Sequence, residues 1–364
     1  MSESPSLSTL LSHALLVFTI ELDNEFERRF AETVERARVV SVVMWSNFLR
    51  FVGEGTTIDE LVQHAGLPRP RMLSTVGGME RWGYVRVGDE AATKRDGYGS
   101  ARGLRRDSLV RPTAAGGAAA EIWPGLFGEI EGRWRERFGA EAIDELRGAL
   151  EAIAERVPIE LPEYVPIVDG KDGMAAGLSS LEKRVTSAES GPVTALLTQA
   201  LLAYTIDFER GSELSLALGE NVVRVLDVDA IDVRDLPLAA GVPREAISMA
   251  LTFLAKNGYV TAEEKQVRLT PTGLEAQEAL SRRHRDVEEQ WAARFGADDV
   301  RRLRDALQQV LEDPRLPEGL RTPPEGWRAT KRYLAHTEAM LDDPGRALPA
   351  YPMVLHRGGW PDGS

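Results

Sequence analysis

The sequence predicts a mainly α-helical protein with small β-hairpins, in which one order of elements occurs twice along the chain. Two segments, 56–87 and 230–261, align without gaps and place Gly66 opposite Gly241. Matching apolar segments precede them, and matching amphipathic segments follow them. A period of about half the chain indicates duplicated domains and not a solenoid, whose repeats span roughly 20–50 residues. We therefore predict a tandem duplication, with repeat A at 1–176, a linker at 177–192 and repeat B at 193–364.

The apolar segments open the two repeats as helices. Residues 9–22 and 194–208 carry apolar side chains around most of the helix cylinder. This pattern is typical of helices that are buried between other elements or at an interface. In repeat A, a second apolar helix is predicted to follow and to end at Gly53.

The segment 56–87 predicts two short helices, a tight turn and a strand. Gly66 stops the first helix, and the second begins near Pro70, because proline is tolerated in the first turn of a helix. Apolar residues at helical spacing predict the buried side of the second helix: Met72, Leu73, Val76 and Met79. Its outer side is then formed by Arg69, Arg71, Ser74, Thr75 and Gly78. Helix, turn, exposed helix and strand is the order of a winged helix-turn-helix.

The same helix-turn-helix pattern recurs in repeat B, which makes a chance match improbable. Leu61, Gly66, Pro68, Arg69, Gly83, Tyr84 and Val85 reappear as Leu236, Gly241, Pro243, Arg244, Gly258, Tyr259 and Val260. The hairpin that follows differs between the repeats. Repeat A has a long wing loop at 88–110, whereas repeat B has the short sequence TAEEKQ.

Each repeat continues into two long amphipathic helices with a shared signature. Trp134, Arg137, Phe138 and Gly139 reappear as Trp291, Arg294, Phe295 and Gly296. The Phe-Gly-Ala step predicts a helix break, followed by a new helix that ends before Pro158 or Pro314. Repeat B carries an additional helical insert at 315–347.

Composition excludes several classes of protein. With 43% hydrophobic and 28% charged residues, the chain is typical of a globular protein. It has no cysteine, so disulfides, thiolate metal sites and cysteine nucleophiles are excluded. No apolar run approaches the ~20 residues of a membrane span, and the N-terminus lacks the pattern of a signal peptide. We therefore expect a cytoplasmic protein that does not contact membranes.

An enzyme is not expected. The five histidines are scattered, and no two of them have the i, i+4 spacing of a helical metal site. The glycine-rich stretch 97–103 precedes a predicted strand, whereas a phosphate-binding loop follows a strand and opens a helix. We accordingly predict no catalytic residue, no metal site and no cofactor.

The combined pattern resembles the MarR-type winged-helix transcriptional regulators, present twice in one chain. The resemblance rests on GLPRPRMLSTVGGMERWGYV (66–85), GVPREAISMALTFLAKNGYV (241–260), LTPTG (269–273) and WRERFGAEAIDELRGAL (134–150). It implies an intramolecular pseudo-dimer, joined by the first helices and the Trp-x-x-Arg-Phe-Gly helices, that binds double-stranded DNA. The chain departs from that family at the wing, where Asp-x-Arg is often found and this sequence has Arg105-Arg106-Asp107. Whether the chain is a monomeric pseudo-dimer or forms a homodimer is left open.

Charge distribution favours repeat A as the half that contacts DNA. The net charge of −13 argues against a protein that coats nucleic acid through bulk positive charge. Residues 56–113 nevertheless contain ten Lys and Arg against seven Asp and Glu, whereas residues 230–272 contain five of each. Phosphate contacts supply much of the affinity for DNA, so this difference matters.

The predicted DNA contacts lie on the second helix of each helix-turn-helix, which we call the reading helix, and on the wing of repeat A. They comprise Arg69, Arg71, Ser74, Thr75 and Gly78 on the helix, and Lys94, Arg95, Arg102, Arg105 and Arg106 on the wing. Repeat B would contribute Arg244, Ser248 and Thr252, next to an unfavourable Glu245. The alternative is that the Arg- and Gly-rich loop is only a solvated insertion.

A small-molecule effector site is predicted in repeat A, where the resembled family places its ligands between the dimer helices and the winged helix. The candidate residues are His13, Phe18, Met44, Trp45, Asn47 and Phe48. The alternative is that these side chains are ordinary core. Two functions remain open at this point: a DNA-binding transcriptional regulator, or a protein-interaction module that kept the scaffold and lost DNA binding.

Overall fold

The computed structural model describes residues 5–34, 48–65, 69–88, 105–158, 161, 191–212, 214–240, 244–316, 355–357 and 360–362. The structure is mainly helical with small antiparallel sheets, as the sequence predicts. Repeat A contains α1 (Leu7–Thr33), β1 (Thr56–Thr57), α2 (Ile58–Ala65), α3 (Arg69–Arg81), β2 (Val85–Val87), β3 (Leu109–Pro112), α4 (Ala114–Phe138) and α5 (Ala140–Ala154). Repeat B contains α6 (Val193–Arg210), α7 (Leu216–Val223), β4 (Ile231–Asp232), α8 (Leu236–Ala240), α9 (Arg244–Lys256), β5 (Val260–Glu263), β6 (Gln266–Leu269), α10 (Pro271–Phe295) and α11 (Ala297–Leu311).

A two-stranded hairpin, β7 (Leu355–Arg357) and β8 (Trp360–Asp362), lies near the C-terminus and contacts α1. The predicted linker up to residue 190 and the insert from residue 317 onward lie outside the described residues. Among the helices that the structure describes, none combines the length and the apolar character needed to cross a membrane.

The two winged segments have the same sheet topology. In repeat A the strand order is β1-β3-β2, and in repeat B it is β4-β6-β5, with all neighbours antiparallel. The wing loop is long in repeat A and short in repeat B, as predicted. β5 and β6 are joined by a tight turn at Glu264 and Lys265, both at positive φ, whereas residues 89–104 separate β2 from the described part of the wing.

A Thr-x-x-Gly sequence connects each hairpin to the long helix that follows. Thr113 Oγ1 donates a hydrogen bond to the carbonyl of Gly83 at 2.5 Å and accepts one from the N–H of Gly116 at 3.2 Å. Thr270 makes the same two bonds in repeat B, at 2.6 and 3.0 Å. The threonine thus caps the helix and ties it to the end of α3 in repeat A and of α9 in repeat B. The glycine permits close packing, because a Cβ at Gly116 would lie 2.0 Å from the carbonyl oxygen of Tyr84.

The Trp-x-x-Arg signature binds a buried carboxylate on the first helix of the same repeat. Trp134 Nε1 donates to Glu21 at 3.2 Å, and the Arg137 guanidinium contacts both oxygens of Glu21 at 2.5 and 3.0 Å. In repeat B, Trp291 donates to Asp207 at 2.9 Å and Arg294 also pairs with Asp207. A buried carboxylate is tolerated only when it is paired and hydrogen-bonded, so the signature fixes how the first helix packs.

Among the described residues, the main helix contacts between the repeats are made by α1, α5, α6 and α11, and we call these helices the joint. The first helices α1 and α6 pack against each other, and so do α5 and α11. Each first helix also packs against the last helix of the other repeat. Equivalent helices therefore meet their counterparts across the joint.

The N-terminus of each first helix is bound by the other repeat. Glu131 Oε2 accepts a hydrogen bond from the N–H of Val193 at 3.1 Å, while Arg147 donates to Glu131 at 2.6 Å and to the carbonyl of Gly191 at 2.9 Å. Glu288 and Arg304 do the same for the start of α1. Glu288 Oε1 accepts from Leu7 N–H at 2.9 Å, and Arg304 donates to Glu288 and to the carbonyl of Pro5, both at 2.7 Å.

We call these four side chains, Glu131, Arg147, Glu288 and Arg304, the reciprocal clamp. The first N–H groups of a helix lack intrahelical partners. Each carboxylate accepts a hydrogen bond from one of them and places a favourable negative charge at the helix N-terminus. The clamp therefore ties the two repeats together through their helix starts.

Repeat A contains an ionic cluster whose central carboxylate is not repeated at the equivalent position of repeat B. Glu25 of α1 is 1% exposed and is contacted by Arg28, Arg29 and Arg133 at 2.6 to 2.8 Å. The position equivalent to Glu25 in repeat B is Gly211. Burial alone would raise the pKa of Glu25, but hydrogen bonds from Arg28, Arg133 and Arg29 outweigh it and lower this pKa to about 2.

Replacing Gly116 by Ala is expected to destabilise the protein by about 3 kcal/mol, because the added methyl group meets a backbone carbonyl that cannot move aside. Gly273→Ala is expected to behave alike, since its Cβ would lie 2.0 Å from the Tyr259 carbonyl. Gly117→Ala is the control: nothing lies within 4 Å of its Cβ, and a helical alanine stabilises by up to about 1 kcal/mol. Urea unfolding measures all three. Equal effects of Gly116→Ala and Gly117→Ala would contradict the close approach.

Acid should destabilise the protein through Glu25. A carboxyl whose pKa is lowered in the folded state contributes stability above its unfolded pKa, near 4.5, and this stability is lost as the pH falls toward 2. The loss for this group is about 3 kcal/mol. The free energy of unfolding, measured by urea at pH 7, 4.5 and 3, should decrease less in Arg133→Ala than in the unmodified chain. Arg301→Ala, which removes an exposed pair with Asp298, is the control and should leave this decrease unchanged.

Candidate nucleic-acid interface

The first helix of the helix-turn-helix in repeat A begins with a capping box. Thr57 N–H donates to Glu60 Oε2 at 2.9 Å, and Glu60 N–H donates to Thr57 Oγ1 at 3.3 Å. The backbone and side-chain hydrogen bonds from Thr57 lower the pKa of Glu60. Arg69, at the start of α3, forms an ion pair with Asp59 at 3.0 Å. One of the predicted phosphate contacts is therefore held against α2.

The exposed face of α3 is narrower than the sequence pattern predicts. Ser74 is exposed, but Thr75 is only 6% exposed and Gly78 is buried, so placing both on the outer side was wrong. Among the described side chains, buried positions 72, 75, 76 and 79 follow the i, i+3, i+4, i+7 spacing of one helix face, and Gly78 lies beside them. Hydrophobicity alone had assigned Leu73 to that face, and Leu73 is half-buried.

The described wing of repeat A concentrates arginines. Arg86 on β2 and Arg111 on β3 are direct cross-strand partners, and we call this pair the wing ladder. Arg105 and Arg106 are exposed at the start of the returning strand. Arg105 pairs with Asp107 at 3.3 Å, but the two side chains are 82% and 72% exposed, so the pair is weak and readily exchanged. Lys94, Arg95 and Arg102, as well as the side chain of Arg71, lie outside the described residues.

The corresponding positions of repeat B carry one arginine in place of two. The counterparts of the wing ladder are Thr261 and Arg268, which are also cross-strand partners. Arg268 Nε donates to Thr261 Oγ1 at 3.4 Å, and its guanidinium lies 4.0 Å from Glu263.

A second cation of repeat B is paired within its own loop. Arg234 binds Asp232 at 2.7 Å, and this side-chain hydrogen bond lowers the pKa of Asp232 to about 2. The two arginines that are described on the face of repeat B thus have acidic or hydroxyl neighbours.

The recognition helix of repeat B presents a groove where DNA contacts were predicted. Ser248 and Thr252 are exposed, and Thr252 Oγ1 donates to the carbonyl of Ser248 at 2.8 Å. The side chain of Arg244 lies outside the described residues. An open groove of about 500 Å³ lies between α8 and α9 and is lined by Val233, Arg234, Pro237, Ile247, Ser248, Leu251 and Thr252. Most of this lining is apolar, unlike a phosphate-binding surface.

The described members of the predicted effector site are buried. Phe18 and Phe48 are fully buried, and His13 is 7% exposed. Phe18 packs edge-on against Trp134, with the ring centroids 5.2 Å apart. Phe18 thus belongs to the packing of the Trp-x-x-Arg signature. Met44, Trp45 and Asn47 lie outside the described residues, so the effector site remains a prediction.

Arg86 and Arg111 were absent from the predicted contacts, although they are central to the wing. Their sequence signal is the alternation in Tyr84-Val85-Arg86-Val87, which places Arg86 opposite the buried face of the strand. The pairing of Arg86 with Arg111 depends on the register of a hairpin with a long loop, which the sequence does not specify.

The described side chains contain no group of three His, Asp or Glu residues that could hold a metal ion. Comparison with known proteins yields no matching family model, no matching curated protein and no matching solved structure. The interface is therefore interpreted from its own geometry.

Proposed function

We propose that this chain is a DNA-binding transcriptional regulator of the MarR-like type, in which a tandem duplication supplies both halves of a pseudo-dimer. Repeat A makes most of the DNA contact. The observation that carries this proposal is the wing ladder: two arginines face each other on the wing of repeat A, where repeat B has Thr261 and Arg268. Wings of this kind place arginines beside phosphates or in a minor groove.

The contacts between the repeats support the pseudo-dimer. The reciprocal clamp uses equivalent residues in both directions, which is the property of an isologous interface. Glu145 of α5 and Arg302 of α11 occupy equivalent positions, and they pair with each other at 2.9 Å. Residues at equivalent positions meet only near a two-fold axis. In a homodimer, identical residues would occupy both of these positions. A fused chain can instead place a glutamate at one and an arginine at the other.

A small effector that modulates DNA binding remains part of the proposal. It would lie between the joint and the winged helix of repeat A, near His13, Phe18 and Phe48. To regulate, it must bind one arrangement of the two repeats more tightly than the other.

Selection of genomic fragments on the immobilised chain, followed by mobility shifts at about 50 and 200 mM salt, tests the proposal. The double variant Arg86→Ala, Arg111→Ala is expected to weaken binding uniformly across sequences and to reduce the salt slope by about 2, or about 1 for each lost phosphate contact. The matched control is Arg268→Ala, which removes the equivalent arginine of repeat B and should leave binding almost unchanged.

Two results would overturn the proposal. One is the absence of retained DNA at low salt from the folded chain. The other is an equal loss of affinity in Arg268→Ala and in the double variant, since this would remove the assigned asymmetry between the repeats.

A second candidate function is a protein-interaction module, and the apolar groove of repeat B favours it. Leu251, Ile247 and Val233 line a recognition helix face that has little to offer a phosphate backbone. A polar and charged reading helix would be the expectation for a symmetric DNA reader.

This candidate predicts a stoichiometric protein partner that is captured at low salt without DNA. Leu251→Asp, which places a charge in the groove, should abolish capture, while Thr252→Ala at its edge should not. Capture that is unaffected by Leu251→Asp, or that depends on the wing ladder, would rule out the groove as the contact surface.

A further inference from the structure

A buried chain of polar side chains connects three helices of repeat B to the start of α1 in repeat A. The hydroxyl of Tyr204 on α6 lies 2.9 Å from Nδ1 of His284 on α10. Nε2 of His284 lies 3.0 Å from Oε1 of Glu220 on α7. Tyr204 is fully buried, Glu220 is 8% exposed, and the hydroxyl of the buried Ser8 on α1 lies close enough to Tyr204 to oppose the rise of its pKa.

The fold itself does not require this polar chain. Repeat A has Phe18 where repeat B has Tyr204, and Phe127 where repeat B has His284. Thr194, the counterpart of Ser8, has a buried hydroxyl that finds no partner among the described residues. Because Phe18 lacks a hydroxyl, that end of the joint cannot form the equivalent bond. The same architecture is thus built with apolar rings in one repeat and with a titratable network in the other.

The neighbours of His284 define where its protons lie. A carboxylate oxygen only accepts hydrogen bonds, so Nε2 carries a proton and donates it to Glu220. Nδ1 of the neutral ring then accepts from the Tyr204 hydroxyl. A second proton on Nδ1 reverses this bond: Tyr204 must accept, and its own hydrogen turns to Ser8 or to the carbonyl of His284 at 3.5 Å.

The charges around the network keep the phenol of Tyr204 protonated. Burial, followed by the nearby Glu288 and Glu220, raises the pKa of Tyr204 well above its ordinary value, while Arg304 and the Ser8 hydrogen bond oppose this. The phenol therefore stays neutral, whereas histidine side chains generally change charge near neutral pH. The ring of Phe208 lies 4.9 Å from the imidazole, and Oε2 of Glu220 is buried without a partner among the described residues.

We propose that His284 is a proton-operated link between the joint and the winged helix of repeat B. Protonation converts the bond to Glu220 into a charge-assisted one, and Glu220 lies on α7, which packs against the recognition helix α9. Protonation also turns the Tyr204 hydroxyl toward Ser8, in the first turn of α1 and beside the reciprocal clamp. One proton therefore ties the winged helix of repeat B more tightly to repeat A. The link does not depend on DNA binding.

Amide hydrogen exchange of the full chain at pH 6 and pH 8, corrected for the intrinsic pH dependence of exchange, tests the link. Amides of α7 and of the first turn of α1 are expected to exchange about fivefold more slowly at pH 6, the difference between a neutral and a charge-assisted hydrogen bond. Amides of α3, in the winged segment of repeat A and outside the joint, serve as the internal reference.

Two variants introduce the residue that repeat A has at the equivalent position. They distinguish the end of the link at α7 from the end at α1. His284→Phe, which copies Phe127, should abolish both pH effects. Tyr204→Phe, which copies Phe18, should keep the effect on α7 and lose the effect on α1. His64→Phe, at an exposed histidine of α2, should retain both. The link is refuted by a wild type without the pH effect, or by a Tyr204→Phe variant that behaves like wild type. The second outcome decides even where His284→Phe fails to fold.

Discussion

Each first helix of this protein starts against the other repeat, where its unpaired N–H groups need a partner. Leu7 and Val193 are both fully buried. A buried N–H without a partner costs free energy comparable to a lost hydrogen bond, so the opposite repeat has to supply an acceptor. Glu131 and Glu288 do so, and Arg147 and Arg304 neutralise them while binding the preceding carbonyls. The start of α1 and the start of α6 are thus completed by residues of the other repeat, which makes the two halves structurally interdependent.

Several features that hold the scaffold together occur in both repeats, whereas the wing and part of the buried core differ. The Thr-x-x-Gly connection, the Trp-x-x-Arg carboxylate pair and the reciprocal clamp occur twice with similar distances. In contrast, Arg86 and Arg111 of the wing ladder correspond to Thr261 and Arg268 in repeat B. Phe18 and Phe127 correspond to Tyr204 and His284. A fused chain frees each half from the requirement that both copies of a homodimer carry the same residue. The Glu145–Arg302 pair is the simplest example of that freedom.

Charge asymmetry follows the same logic. The overall charge of −13 would repel DNA at long range, so a local positive surface is needed for binding. The proposed source of this surface is the wing ladder, which has two arginines on adjacent strands, whereas Arg234 and Arg268 of repeat B lie beside acidic side chains. An asymmetric reader would favour a target without strict palindromic symmetry.

The sequence by itself determined the element order, the equivalence of the two halves at the level of motifs, and the positions of the helix breaks. These follow from local chemistry: Gly139 and Gly296 adopt positive φ, which side chains disfavour. The apolar periodicity also predicted most of the buried side of α3. It missed Thr75, because threonine is polar although helix geometry places position 75 on the buried face. Of the predicted DNA contacts, the exposed Ser74, Arg105, Arg106, Ser248 and Thr252 are placed where they could reach a ligand.

Only the tertiary structure decided which residues meet across long sequence distances. The cross-strand pairing of Arg86 with Arg111, the bond from Arg304 to Pro5 and the Tyr204–His284–Glu220 network each join segments whose separation no local rule specifies. Their partners are set by strand register and by the packing of four helices in the joint, which are collective results of burying the whole core. The scaffold could therefore be predicted from sequence patterns, whereas the groups that distinguish the two repeats chemically had to be located in three dimensions.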